Sequence, residues 1–152
     1  MNVKRQITPT ITIGDQPTDA DLQALKAEGY GGVINLRNDG EPEQPLSTSA
    51  EGDVARGAGL AYLHYGVGAA LLTEEGVNQV REFLDRETQS GKVLVHCRRG
   101  GRAVALVLIH QAKAQGWKND EVFEKGKAMG LEVEGGLRTA VANYLQQEAS
   151  KS

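Results

Sequence analysis

Between residues 93 and 113 the sequence passes from a short branched apolar run, Val93-Leu94-Val95, through His96-Cys97-Arg98-Arg99-Gly100-Gly101 into a stretch that is apolar on nearly every face. A helix apolar all round belongs in the interior of a domain. A short apolar strand without alternation is covered on both faces. The segment therefore predicts a buried strand ending at Cys97, a six-residue loop over 97–102, and a central helix beginning near Arg102.

The rest of the chain keeps the same alternation of short strands and helices. Residues 10–13 predict a strand that Gly14-Asp15 ends, and Thr18 can cap a helix carrying Leu22 and Leu25, closed by Gly29. Residues 33–36 predict a second strand, 38–46 a loop with two prolines and one glycine, and 47–56 a second helix. Residues 60–67 predict a further strand. Thr73 can cap the helix that carries Val77, Val80 and Leu84, with Gly76 a weak point in its first turn. Residues 119–128 and 136–147 predict two closing helices. This order favours a mostly parallel central sheet flanked by helices, with residues 1–152 forming one domain.

Composition bounds the partners. The net charge of −3 implies no general affinity for nucleic acid or for an anionic membrane, so any basic site has to be local. The longest apolar stretch, residues 103–109, is too short to span a bilayer. The single cysteine cannot form an internal disulfide and the N-terminus lacks the apolar run of a secretory signal, so the expected location is the cytoplasm. His64, His96 and His110 are scattered, and neither a metal site nor a cofactor is expected.

The chemistry concentrates at residues 96–102. Adjacent Gly100 and Gly101 let the loop curl with its N–H groups inward, a nest that binds anions at a helix N-terminus. Arg102 adds a planar two-pronged donor for phosphate-like oxygens. The same positive field favours thiolate over thiol, which makes Cys97 a candidate nucleophile beside the binding site of its own electrophile. Arg98 and Arg99 would attract a multiply charged substrate if they line the mouth, but Arg99 reads more readily as solvated loop surface. His96 is expected to hold the loop by hydrogen bonding rather than to exchange protons. The opposing reading is a buried structural cysteine among solvated arginines.

His96-Cys97 followed by an Arg after a Gly-containing loop resembles the cysteine-phosphatase superfamily. Three further segments, Gly14-Asp15-Gln16-Pro17, Gly32-Val33-Ile34-Asn35-Leu36-Arg37 with Glu41, and Ala61-Tyr62-Leu63-His64-Tyr65, narrow the likeness. Together with His96-Cys97-Arg98 they resemble the phosphatase-like domain of beta-lactamase-hydrolase-like proteins, over roughly residues 7–131. The resemblance implies a compact relative of the dual-specificity phosphatase fold, with Cys97 as nucleophile and Arg102 as oxyanion-binding arginine. The partner it implies is a phosphorylated substrate.

Three departures set the chain apart from protein tyrosine phosphatases. Four residues rather than five separate Cys97 from Arg102. Ala103 stands where those enzymes carry Ser or Thr. Their Asp general acid follows the preceding strand, whereas residues 66–72 here hold no acid, leaving Asp39, Glu41, Glu74 and Glu75 as candidate donors. The Cys-Arg-x-Gly-x-Arg spelling is also that of rhodanese-type sulfurtransferases, whose loop has the same six-residue length. Such an enzyme forms a Cys persulfide from a small sulfur-bearing anion and needs no acid for an alkoxide. The Gly-His-Ile-Pro-Gly-Ala type segment of rhodaneses is missing. A third alternative is a non-catalytic module that binds anions or phosphoproteins.

Overall fold

The computed structural model describes residues 1–68 and 72–151. Its elements alternate as β1 (Lys4–Thr8), β2 (Ile11–Gly14), α1 (Asp19–Leu25), β3 (Tyr30–Asn35), α2 (Thr48–Gly57), β4 (Ala61–His64), α3 (Glu74–Glu87), β5 (Lys92–His96), α4 (Gly101–Gln115), α5 (Val122–Ala128) and α6 (Gly135–Ala149). The five strands form one sheet in the order β1-β2-β5-β3-β4. Only β1 runs antiparallel to its neighbour; β2, β5, β3 and β4 are all parallel. Thus β5, the last strand in the chain, lies at the centre between β2 and β3.

Alternation along each strand divides the core into two layers. Val33 and Leu94 point to one face, where they meet Leu22 and Leu25 of α1 and Ala55 of α2. Ile34, Val93 and Val95 point to the other, against α3, α4 and α6. Every residue of α4 from Ala103 to Ala112 is buried, which places this helix in the middle of the second layer, as its all-round apolarity requires. No helix among the described residues is long and apolar enough to cross a membrane.

Local chemistry sets the boundaries. Thr18 and Asp21 form a reciprocal capping box at α1, and Gly29 follows in a left-handed turn with φ 92°. Ser47 and Thr73 cap α2 and α3 through their hydroxyls. Gly76 is more than a weak helix former. A Cβ there would lie 2.2 Å from Tyr65 Cε1, because the Tyr65 ring lies across the first turn of α3 and its hydroxyl accepts the Thr73 N–H.

The sequence did not predict β1, since its exposed polar residues carry no apolar alternation. The side chain of Asp15 holds it instead, accepting from the backbone of Asn2 and Val3. The expected strand over 60–67 is shorter, because the chain bends away after His64 and only Tyr65 and Val67 still donate to the β3 end, at Asn35 and Leu36. A single 3-10 turn, Asn119–Glu121, precedes α5 within the segment expected to be one helix.

Candidate active site

Parallel strands end together, so the residues just beyond β2, β3, β4 and β5 gather at one edge of the sheet, where open α/β folds place their ligand sites. Asp15 and Gln16 follow β2, Leu36 and Arg37 follow β3, and Cys97 follows β5. The motif segments spread through the sequence therefore converge in space.

Cys97 is 1 % exposed, at the junction of β5 and the loop. Gly100 turns the chain with φ 102°, a left-handed conformation that suits glycine, and its N–H donates to Cys97 Sγ at 3.1 Å. The first turn of α4 begins at the next residue, so the thiol faces a helix N-terminus. Arg102 sits in that turn.

Arg102 is not left to solvent. Its Nη1 and Nη2 donate to the two carboxylate oxygens of Glu41, each at 2.8 Å, and Nη1 also reaches the carbonyls of Val67 and Leu36. Glu41 in turn accepts from the Asn38 N–H at 2.7 Å and from Arg37 Nε at 3.1 Å. Arg102 first, then Asn38 and Arg37, outweigh the burial of Glu41 and hold its carboxyl at about 2. Glu41 in turn strengthens the hold of Arg102 on its charge, and the adjacent Cys97 adds to this.

Arg37, fully buried, extends the network. It donates to Gln16 Oε1 at 2.8 Å and to the carbonyls of Glu43 and Pro42. Gln16 Nε2 donates to Glu51 at 2.8 Å, and the other oxygen of Glu51 meets His96 Nε2 at 2.6 Å. Both His96 and Glu51 are fully buried. His96 Nδ1 has no partner among the described residues, so the tautomer that strands no donor carries its proton on Nε2, directed at Glu51. A continuous polar path thus runs from His96 through Glu51, Gln16, Arg37 and Glu41 to Arg102, tying both ends of the loop to the ends of β2 and β3.

The other candidates lie apart. Arg98 pairs with Glu43 at 2.5 Å, and exposed Arg99 lines the same polar recess of about 340 Å³, together with Asp15 and Gln16. Arg102 opens instead onto a cleft of about 480 Å³, shared with Glu41 and Val67 and, from the start of α6, Glu134, Gly136 and Leu137. Asp39 accepts from the backbone and hydroxyl of Thr48, which hold its carboxyl below the usual range. Glu74 and Glu75 begin α3, and Glu74 pairs with Lys151. Residues 69–71, in the acid-free stretch of the sequence, lie outside the described residues. The sequence offered no signal for Glu51 or Glu134; Gln16 and Arg37 stood within its motifs without a role.

The chain matches known proteins over most of its length. The family model for the phosphatase-like domain of beta-lactamase hydrolase-like protein matches residues 4–114. The beta-lactamase hydrolase-like protein of Xylella fastidiosa is 36 % identical over 128 residues, which cover 84 % of this chain and 29 % of that one. The Agrobacterium fabrum protein of the same name is 32 % identical over 147 residues, covering 95 % and 32 %. The chain thus spans about a third of the length of these relatives. Among solved structures, the active form of Tk-PTP, a cysteine phosphatase, superimposes with a TM-score of 0.76 at 20 % identity, covering 96 % of this chain and 97 % of that one. The fold is that of the cysteine phosphatases, and the chain belongs to the family of phosphatase-like domains found in beta-lactamase hydrolase-like proteins.

Proposed function

We propose that this domain hydrolyses a phosphoester through a phosphocysteine at Cys97. The observation that carries the reading is the join between thiol and cleft: Arg102 neighbours Cys97 and also lines the open cleft. Glu41 occupies the Nη1–Nη2 edge of its guanidinium, so the Nε edge is the one that serves an incoming phosphoryl group. The Gly100 N–H and the α4 N-terminus supply further donors for the oxyanion.

In the first step the Cys97 thiolate attacks phosphorus, an S–P bond forms, and the ester P–O bond breaks with its electron pair on the leaving oxygen. In the second, water attacks phosphorus, the S–P bond breaks, and inorganic phosphate leaves the regenerated thiolate.

The test is the mass of Cys97 after rapid quenching with an aryl phosphate or with thiosulfate. A phosphate adduct on the wild type, with no turnover by Cys97→Ser, is the expected result. Arg102→Ala should weaken binding of phosphate or vanadate by at least tenfold in calorimetric titration. Turnover by a folded Cys97→Ser variant, or a sulfur adduct from thiosulfate without any phosphoester turnover, overturns the proposal.

A further inference from the structure

The structure assigns the general acid of this reaction to Glu134, at the start of α6 and outside every segment in which the sequence located an acid; the assignment rests on the phosphatase reading above. Two carboxylates line the Arg102 cleft among the described residues, Glu41 and Glu134. Glu41 has both carboxylate oxygens bound to Arg102 and accepts from Arg37 and Asn38 as well, so neither oxygen is free to face a leaving group. Asp39, Glu74 and Glu75 do not line the cleft.

Glu134 is placed for the task. It occupies the N-cap position of α6 with extended backbone, yet its side chain makes no capping hydrogen bond and its carboxyl has no partner among the described residues. Leu137, one turn further on, lies against the catalytic loop: a Cβ on Gly101 would be 3.4 Å from Leu137 Cδ1. The α6 N-terminus therefore rests beside the start of α4. Buried Leu131 and Val133 anchor the approach to Glu134, while Gly135 and Gly136 follow it with open space at each Cβ position. This gives a fixed root and an adjustable carboxyl at the rim of the cleft.

As the S–P bond forms, the proton of the Glu134 carboxyl passes to the departing ester oxygen, which leaves as a neutral alcohol or phenol. In the second step the Glu134 carboxylate takes a proton from the attacking water. The S–P bond breaks and the acid is restored. The charged groups that share the cleft with it are Arg102 and Glu41.

The test compares the full chain with Glu134→Gln on substituted phenyl phosphates, by kcat/KM against leaving-group pKa and against pH. The wild type should depend weakly on the leaving group. The variant should lose about 10²-fold or more on phenyl phosphate and only a few-fold on 2,4-dinitrophenyl phosphate, whose phenolate needs no proton. Its rate should also lose the alkaline limb of the pH profile, while phosphocysteine still forms from the activated ester. Equal losses across the series, or no loss, overturn the role of Glu134 and leave the phosphocysteine reading standing. A wild type that forms no phosphocysteine from any ester overturns both.

Discussion

Replacing Glu41 with Gln should remove a specific, pH-dependent part of the stability of this domain. The carboxyl of Glu41 lies at about 2 rather than 4.5, chiefly because Arg102 donates to both its oxygens. At about 1.4 kcal/mol per pKa unit the shift corresponds to roughly 3 kcal/mol. The side chain is 18 % exposed, so solvent screening trims this to about 2 kcal/mol. The folded-state value lies below the unfolded one. The contribution is therefore fully present above pH 4.5 and is lost as pH falls through 4.5 toward 2, with roughly half of it gone by pH 3. Gln keeps the shape of the side chain but cannot bind a proton in this range. Urea unfolding of wild type and Glu41→Gln at pH 7, 5, 4 and 3 measures the difference. The expected gap is about 2 kcal/mol at pH 7 and 5, narrowing to about 1 kcal/mol at pH 3. A gap that stays constant down to pH 3, or no gap at pH 7, would refute the pairing of Glu41 with Arg102 as the cause.

Two further substitutions test the surroundings. Gly76→Ala would drive a Cβ to 2.2 Å from the Tyr65 ring, and such overpacking costs about 1–3 kcal/mol, so the thermal midpoint should fall by roughly 3–10 °C; an unchanged or higher midpoint would contradict the packing of Tyr65 across α3. Glu51→Leu leaves His96 Nε2 without its acceptor in the interior, at about 1–3 kcal/mol for a stranded buried donor, and should lower the urea midpoint at neutral pH, while Gln16 Nε2 keeps the Pro17 carbonyl. A midpoint equal to that of the wild type would show that the path from His96 to Arg102 does not support the loop.

The buried part of the fold was legible in sequence because burial leaves a pattern. Val93 to Val95 and the apolar run of α4 announce a covered strand and a central helix, and Thr18, Ser47 and Thr73 mark helix starts by their hydroxyls. What failed to register was structure held by single side chains. β1 exists through Asp15 and the exposed backbone edge of β2, which leave no periodicity to read. The loop from Cys97 to Arg102 was legible because its residue types are unusual as neighbours. Of its supports, His96 was legible as a hydrogen-bonding residue but its partners were not. Glu51 reads as one more acidic residue on a helix, yet it is completely buried, because the matching His96 and Gln16 come from distant parts of the chain. Glu134 escaped notice for the opposite reason: an exposed glutamate before two glycines looks like any helix start until the cleft beside it is seen.

The position of β5 also governs when this protein can acquire its structure. The strand that ends in Cys97 is the last of the five to be synthesised, yet it separates β2 from β3. Until it emerges, β2 and β3 have open edges facing a gap that no earlier segment fills, and such edges are prone to pair with other chains. Every bond from β5 to its neighbours closes a long loop, a topology that folds slowly. A nascent chain stopped before Lys92 would hold most of the supporting side chains, Gln16, Arg37, Glu41 and Glu51 among them, with nothing to assemble around. Insertion of this one strand joins the two halves of the sheet and brings the thiol to its supports in the same event.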